Sequence, residues 1–198
     1  RHGVVAAVTN SNLRPASAEL STSRGELCLS MLDFQTAVKA GSAAMEKLKH
    51  AEYNPFTLLL VDREKCVHVS NTRGPKCAEL EPGWHVVGNT KLDATNDLRV
   101  LYTKLQLYSQ EERLHADPVG LIQSLCSDHG EAAENPEMAL CVHKDDRGTR
   151  SSTILTVDNT GKIVFRHADG PPCTTPYKEI AIPWQEPHNT DSEQPDSV

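Results

Sequence analysis

A chain of 198 residues with 38% hydrophobic content can bury one core and is about one domain long. It has no apolar run of the roughly eighteen residues that a membrane-spanning helix needs. Its formal net charge is −7, and its 20 basic residues are scattered rather than gathered into a stripe, which excludes a nucleic-acid partner as the expected one.

The chain opens Arg1-His2 and passes directly into Gly3-Val4-Val5-Ala6-Ala7-Val8-Thr9-Asn10. A valine-rich run ending in turn residues predicts a strand buried on both faces, with partner strands on either side. The expectation is a domain entered in mid-sheet, with further strands upstream of Arg1. After a serine-rich loop, Ser23 with Glu26 three residues on has capping-box spacing and starts a helix at Arg24. A second helix is expected from Thr36 to His50, where small and apolar residues recur at helical spacing.

Asn54–Asp62 and Lys65–Asn71 read as a hairpin, and Lys76–Leu80 as a further strand. Glu81-Pro82-Gly83-Trp84 is a tight turn feeding a short strand over His85–Asn89. Asp97 caps a helix running to Ser109, with Leu98, Leu101, Tyr102, Leu105 and Tyr108 on its apolar face. Asp117-Pro118 opens another helix, with Val119, Ile122, Leu125 and Cys126 facing inward. A last hairpin pairs Arg150–Asp158 with Lys162–His167 around Asn159-Thr160-Gly161. Residues 1–184 are expected to form the domain, and the polar, acidic residues 185–198 a disordered tail.

Segregated blocks of strands and helices predict an α+β architecture of stacked antiparallel sheets between helical layers. The chain has no glycine-rich phosphate turn, no His-Glu-x-x-His helix and no Gly-x-Ser-x-Gly elbow, so the common cofactor and hydrolase classes lose support. The six cysteines, at positions 28, 66, 77, 126, 141 and 173, are too dispersed for a disulfide framework. They are read as the reduced thiols of a cytoplasmic protein.

The candidate chemistry centres on Gly148–Asp158. Arg150, entering a strand of hydroxyls and branched apolars, needs a carboxylate, a carbonyl or an anionic ligand. It is read either as an ion pair joining two sheets or as a site. Arg24, in the first turn of its helix, binds an anion or pairs with Glu19 or Glu26. Cys66-Val67-His68 and Cys141-Val142-His143 repeat one tripeptide on expected strands, where alternation puts each thiol and imidazole on one face. That places them within reach of a shared soft metal or haem iron. Neither supplies a four-ligand pattern, so no metal site is assigned, and the reading is buried thiols beside hydrogen-bonded imidazoles. His85 and His167 have the same standing.

Five segments then carry a resemblance in register: Val4–Asn10, Ser23–Leu27, Tyr53–Leu60, Leu80–Asn89 with Leu92-Asp93, and Gly148–Thr153. Together they resemble the NRDE proteins, the transport-and-Golgi-organisation family, whose naming Asn-Arg-Asp-Glu motif and near-terminal cysteine are not in this sequence. The resemblance implies a four-layer αββα sandwich similar to the N-terminal-nucleophile hydrolases of the penicillin acylase and bile-salt hydrolase branch. It makes Asn10 and Asn89 counterparts of oxyanion donors and Arg150 the counterpart of the charge beside the nucleophile. It also implies a carrier for an amphipathic ligand such as haem or acyl-CoA, with Arg150, His85 and Arg24 as the residues assigned to ligand or cofactor. Haem is the one cofactor it suggests, and mitochondrial or Golgi association the alternative to the cytoplasm. The alternative function is an amide or thioester hydrolase whose cysteine lies upstream of Arg1.

Overall fold

Residue alternation along its first three strands gives the four-stranded first sheet an apolar face. The computed structural model describes residues 3–11, 22–130, 134–158 and 162–181. Strands β1 (Val5–Asn10), β2 (Phe56–Val61), β3 (Cys66–Ser70) and β4 (Lys76–Leu80) pair antiparallel in the order β1-β2-β3-β4. The register sets Ala6 opposite Leu60, Val8 opposite Leu58, and Leu58 and Leu60 opposite Val69 and Val67. One face is therefore continuously apolar, since side chains two apart on a strand share a face.

Helices α1 (Arg24–Ser30) and α2 (Ala37–His50) cover that face. Ser23 caps α1 by accepting from the Glu26 N–H, and Thr36 caps α2 by accepting from the Lys39 N–H. The Asp62 carboxylate, in the β2–β3 turn, accepts from the Ala37 N–H at 2.7 Å and so ties the start of α2 to the sheet. Ala37, Ala40, Gly41 and Ala44 are the buried residues of α2. Their small size lets the helix lie close to β3, where a Cβ on Gly41 would sit 2.7 Å from Val67 Cγ1.

The second sheet is also antiparallel, in the order β5 (Ser152–Val157), β6 (Ile163–Ala168) and β7 (Lys178–Ile180). Between the sheets the chain forms α3 (Leu98–Ser109), α4 (Glu111–Ala116) and α5 (Pro118–Cys126). Leu107, Leu114, Leu121 and Leu125 make a second apolar cluster, with Val86, Ile122 and Leu140 packed against it. The chain is thus an α+β protein with two antiparallel sheets, as the block order predicts. Among the described residues no helix is long and apolar enough to cross a membrane.

Several expectations need correction. Strand β1 is half-buried rather than buried on both faces, with Ala7 and Asn10 exposed, and β2 is its strand partner among the described residues. His85–Asn89 is not a strand, because its hydrogen bonds go elsewhere than to a ladder. The Val86 N–H donates to the Asp93 side chain at 2.9 Å, and the Gly88 carbonyl accepts from the Thr9 hydroxyl at 3.2 Å. Cys141–His143 is likewise a loop, joined to Gly148 by an isolated bridge at His143.

Strand β5 begins at Ser152, so Arg150 precedes it and is exposed instead of entering a buried strand. On α3 the buried residues are Val100, Tyr102, Thr103 and Leu107, while Leu98, Leu101, Leu105 and Tyr108 are exposed. The stripe chosen by hydrophobicity meets the inward face only at Tyr102; that face otherwise follows Val100, Thr103 and Leu107. The turn Asn159–Gly161 and the acidic segment 185–198 lie outside the described residues.

Candidate functional site

The loop between β4 and α3 crosses the end of β1 and brings two of the expected site residues together. The Asn89 side-chain amide donates to the Asn10 carbonyl at 2.8 Å. One residue on, the Thr90 hydroxyl donates to Asp97 at 2.7 Å, and the same Asp97 caps α3 by accepting from the Arg99 and Val100 N–H groups. Burial pushes the Asp97 carboxyl up, but these donors outweigh it and hold the group below its ordinary range. Asn89 is therefore fixed between the end of a strand and the start of a helix.

A second loop faces it. The Thr149 N–H donates to the Val142 carbonyl at 2.8 Å, the Val142 N–H to the Thr149 hydroxyl at 3.0 Å, and the Lys144 N–H to the Arg147 carbonyl at 2.9 Å. These bonds close residues 142–149 into a tight hairpin. Gly148 permits the approach, since a Cβ there would come within 2.8 Å of the Val142 carbonyl oxygen.

Between hairpin and helix lies a crevice of about 470 Å³, lined by Asn89, Arg99, Lys144, Arg147 and Thr149 among others, and by no carboxylate among the described residues. Arg99 donates through one terminal nitrogen to the Glu137 carbonyl at 3.3 Å, and its buried Nε has no hydrogen-bond partner among the described residues. None of the three cations forms an ion pair among those residues. A buried donor without a partner costs about 1–3 kcal/mol.

The other expected residues are placed differently. Arg150 lines a neighbouring open cleft of about 750 Å³ with Asp145, Asp146 and Asp169, and Lys144 and Arg147 line both cavities. Arg24 donates to the Pro55 carbonyl at 3.1 Å, a tie between α1 and the chain entering β2, rather than pairing with Glu26; Glu19 lies outside the described residues. His85 is committed at both nitrogens, to Asp93 at 2.7 Å and to the Glu81 carbonyl at 2.8 Å. Both partners are acceptors, so the protonated ring donates to both, and these bonds, that to the Glu81 carbonyl first and that to Asp93 next, raise its pKa above the ordinary value. That leaves no lone pair for a metal.

Cys66 and His68 do share one face of β3, opposite the core residues Val67 and Val69. Burial pushes the Cys66 thiol up and the His68 imidazole down. His68 Nε2 is buried with no partner among the described residues.

The second tripeptide does more. Cys141 and His143 meet Cys173 and His129, and the four potential ligand atoms all lie within 4.8 Å of one another. Burial, and then the bond to Cys173, push the Cys141 thiol up. The reading of buried thiols beside imidazoles anticipated Cys141 and His143. Their partners come from the loop after α5 and the turn after β6, and no spacing in the sequence announces those contacts.

Fold and site together define a two-sheet α+β protein whose loops converge on a cation-lined crevice at the end of its first sheet. The chain belongs to the transport and Golgi organisation 2 (TANGO2) family, whose profile matches residues 1–168. No protein with a curated description matches it.

Proposed function

We propose that the protein is a carrier that binds a small amphipathic anion, with the acidic group of the ligand seated in the crevice between Asn89 and the 142–149 hairpin. The observation that carries this reading is the convergence of Arg99, Lys144 and Arg147 on one cavity with no lining carboxylate. Guanidinium groups bind carboxylate and phosphate oxygens through paired donors, and a lysine adds a point charge. A haem propionate, a fatty carboxylate or the phosphates of acyl-CoA would each supply the anion. Arg150 lines the adjoining cleft beside Asp145, Asp146 and Asp169 and is assigned no contact with the anion.

Calorimetric titration of the purified chain with acyl-CoA, free CoA, haem and an uncharged acyl ester tests this. Charged ligands are expected to bind one per chain and the ester not to bind. Arg147→Ala and Lys144→Ala should each weaken binding by about 1–2 kcal/mol, roughly 5- to 30-fold. Affinities unchanged in both variants would reject the crevice as the site.

A second reading, amide or thioester hydrolysis, is supported by the contact of Asn89 with Asn10, the two residues that the resemblance assigns as oxyanion donors. It predicts turnover that thiol alkylation and Asn89→Ala both abolish, whereas carriage predicts stoichiometric binding indifferent to alkylation.

A further inference from the structure

We propose that His129, Cys141, His143 and Cys173 form a tetrahedral Cys2His2 site for Zn2+. The spacing of the donor atoms is the first argument. Zinc binds thiolate at about 2.3 Å and imidazole at about 2.0 Å, so a tetrahedron of such bonds has edges of roughly 3.2–3.8 Å. Cys141 Sγ lies 3.5 Å from His143 Nε2 and 3.5 Å from Cys173 Sγ, and His143 Nε2 lies 3.2 Å from Cys173 Sγ. Three donors already stand at the separations of a metal's first shell. His129 closes the group within the 4.8 Å span, its ring centroid 5.1 Å from that of His143.

Donor chemistry is the second argument. Two sulfurs and two imidazoles suit zinc and do not suit magnesium or calcium, which take oxygen ligands. Two thiolates neutralise the dication, and the two thiol protons pass to solvent on binding. Four protein ligands leave no open coordination position, so the site is structural rather than catalytic.

The loops that present these ligands are fixed by bonds of their own. The Asp128 carbonyl accepts from the Leu140 and Cys141 N–H groups at 2.9 and 2.8 Å, which holds the segment beside His129 against the segment carrying Cys141. Gly130, at φ 79°, allows the sharp reversal between them. The Pro171 carbonyl accepts from the Thr174 and Thr175 N–H groups and shapes the turn around Cys173. Zinc would therefore join the loop after α5, the 142–149 hairpin and the β6–β7 connection at one point. Lys144 and Arg147 sit on that hairpin, so the metal would also brace one wall of the crevice.

The test is metal content, which does not depend on the anion-binding reading. The full chain, reduced and dialysed with Zn2+, is expected to retain one zinc per chain by elemental mass spectrometry. Replacement by Co2+ should give the intense visible absorption of tetrahedral thiolate coordination. His143→Ala and Cys173→Ser, at less buried ligands, should weaken zinc binding by more than the roughly 10- to 100-fold typical of losing an outer-shell partner. Cys77→Ser, on β4, should bind as the parent does. The proposal is overturned if the reduced parent stays metal-free in excess Zn2+, if both ligand variants bind like the parent, or if only a Cys141–Cys173 disulfide forms.

Discussion

Asp93 is the residue on which most of the loop before α3 depends. It sits at φ 52°, a left-handed conformation that aspartate and asparagine tolerate better than other side chains. Its carboxylate accepts from His85 at 2.7 Å, from Lys104 at 2.7 Å and from the Val86 N–H at 2.9 Å. Burial alone would push the Asp93 carboxyl up; the Lys104, Val86 and His85 donors hold it at about 2. A depressed carboxylate stabilises the fold above its unfolded pKa of about 3.9, and that contribution is lost as pH falls toward 2. His85, with its pKa raised, contributes below its unfolded value of about 6.5, and its contribution is lost as pH rises through the folded value. Asp93→Asn keeps the tolerance for left-handed backbone and removes the charge. Unfolding free energies of parent and variant, from thermal melts across pH 2–9, should therefore differ most between about pH 4 and 6.5, by roughly 1–2 kcal/mol, and converge on the acid side. A constant difference across the acid limb would show that the carboxylate's charge is not what stabilises the loop.

At the scale of elements, helix starts were the most legible feature, because a cap is a local bond between residues three apart. Ser23, Asp97 and Asp117 cap the helices that the sequence assigned to them, and Thr36, expected as the first residue of its helix, is the cap of α2. Faces were less legible. On α3 the sequence offers an apolar stripe through Leu98, Leu101, Tyr102, Leu105 and Tyr108, yet of these only Tyr102 is buried, and Leu107 meets the core. Leu105→Gln should thus change stability by no more than about 0.5 kcal/mol, whereas Leu107→Ala should cost about 2–5 kcal/mol in urea denaturation. Equal losses would return Leu105 to the core. On α2 two opposed magnitudes meet at Gly41. Alanine would gain about 1 kcal/mol of helix propensity, but its methyl would press on Val67 Cγ1 at 2.7 Å and Cys77 Sγ at 3.2 Å. Overpacking a branched core side chain costs about 1–3 kcal/mol, so Gly41→Ala should destabilise by roughly 1 kcal/mol. The loss should shrink in a Val67→Ala background, where the obstructing methyl is gone. An undiminished loss there would place its cause elsewhere than this contact.

For the whole molecule, what the sequence hides is convergence. Block order predicts the α+β class, and of Asn10, Asn89 and Arg150, which the resemblance names, the fold joins the Asn89 amide to the Asn10 carbonyl. Arg99, Lys144 and Arg147 were not recognised, because an arginine in a helix's first turn and two cations in a short loop look like solvated charges until the fold opposes them. Among the described residues the fold gathers most of its buried apolar side chains into two clusters with no member in common, one under α1 and α2 on the first sheet, the other among α3, α4 and α5. The ties between the first sheet and the loop leading to the second cluster include the hydrogen bonds from Thr9 to Gly88 and from Asn89 to Asn10. Each such bond contributes only about 0.5–1.5 kcal/mol, far less than either cluster gains from burial. Damage to one cluster should therefore stay local. Leu121, fully buried in the second cluster, tests this, since Leu121→Ala should cost about 2–5 kcal/mol there. Hydrogen exchange should accelerate in α3 and α5, while amides of β2, paired on both sides by β1 and β3, keep the rates of the parent. If β2 accelerates by the same factor, the two clusters open as one cooperative unit, and the bonds at Asn89 couple the crevice to the first sheet more tightly than their number suggests.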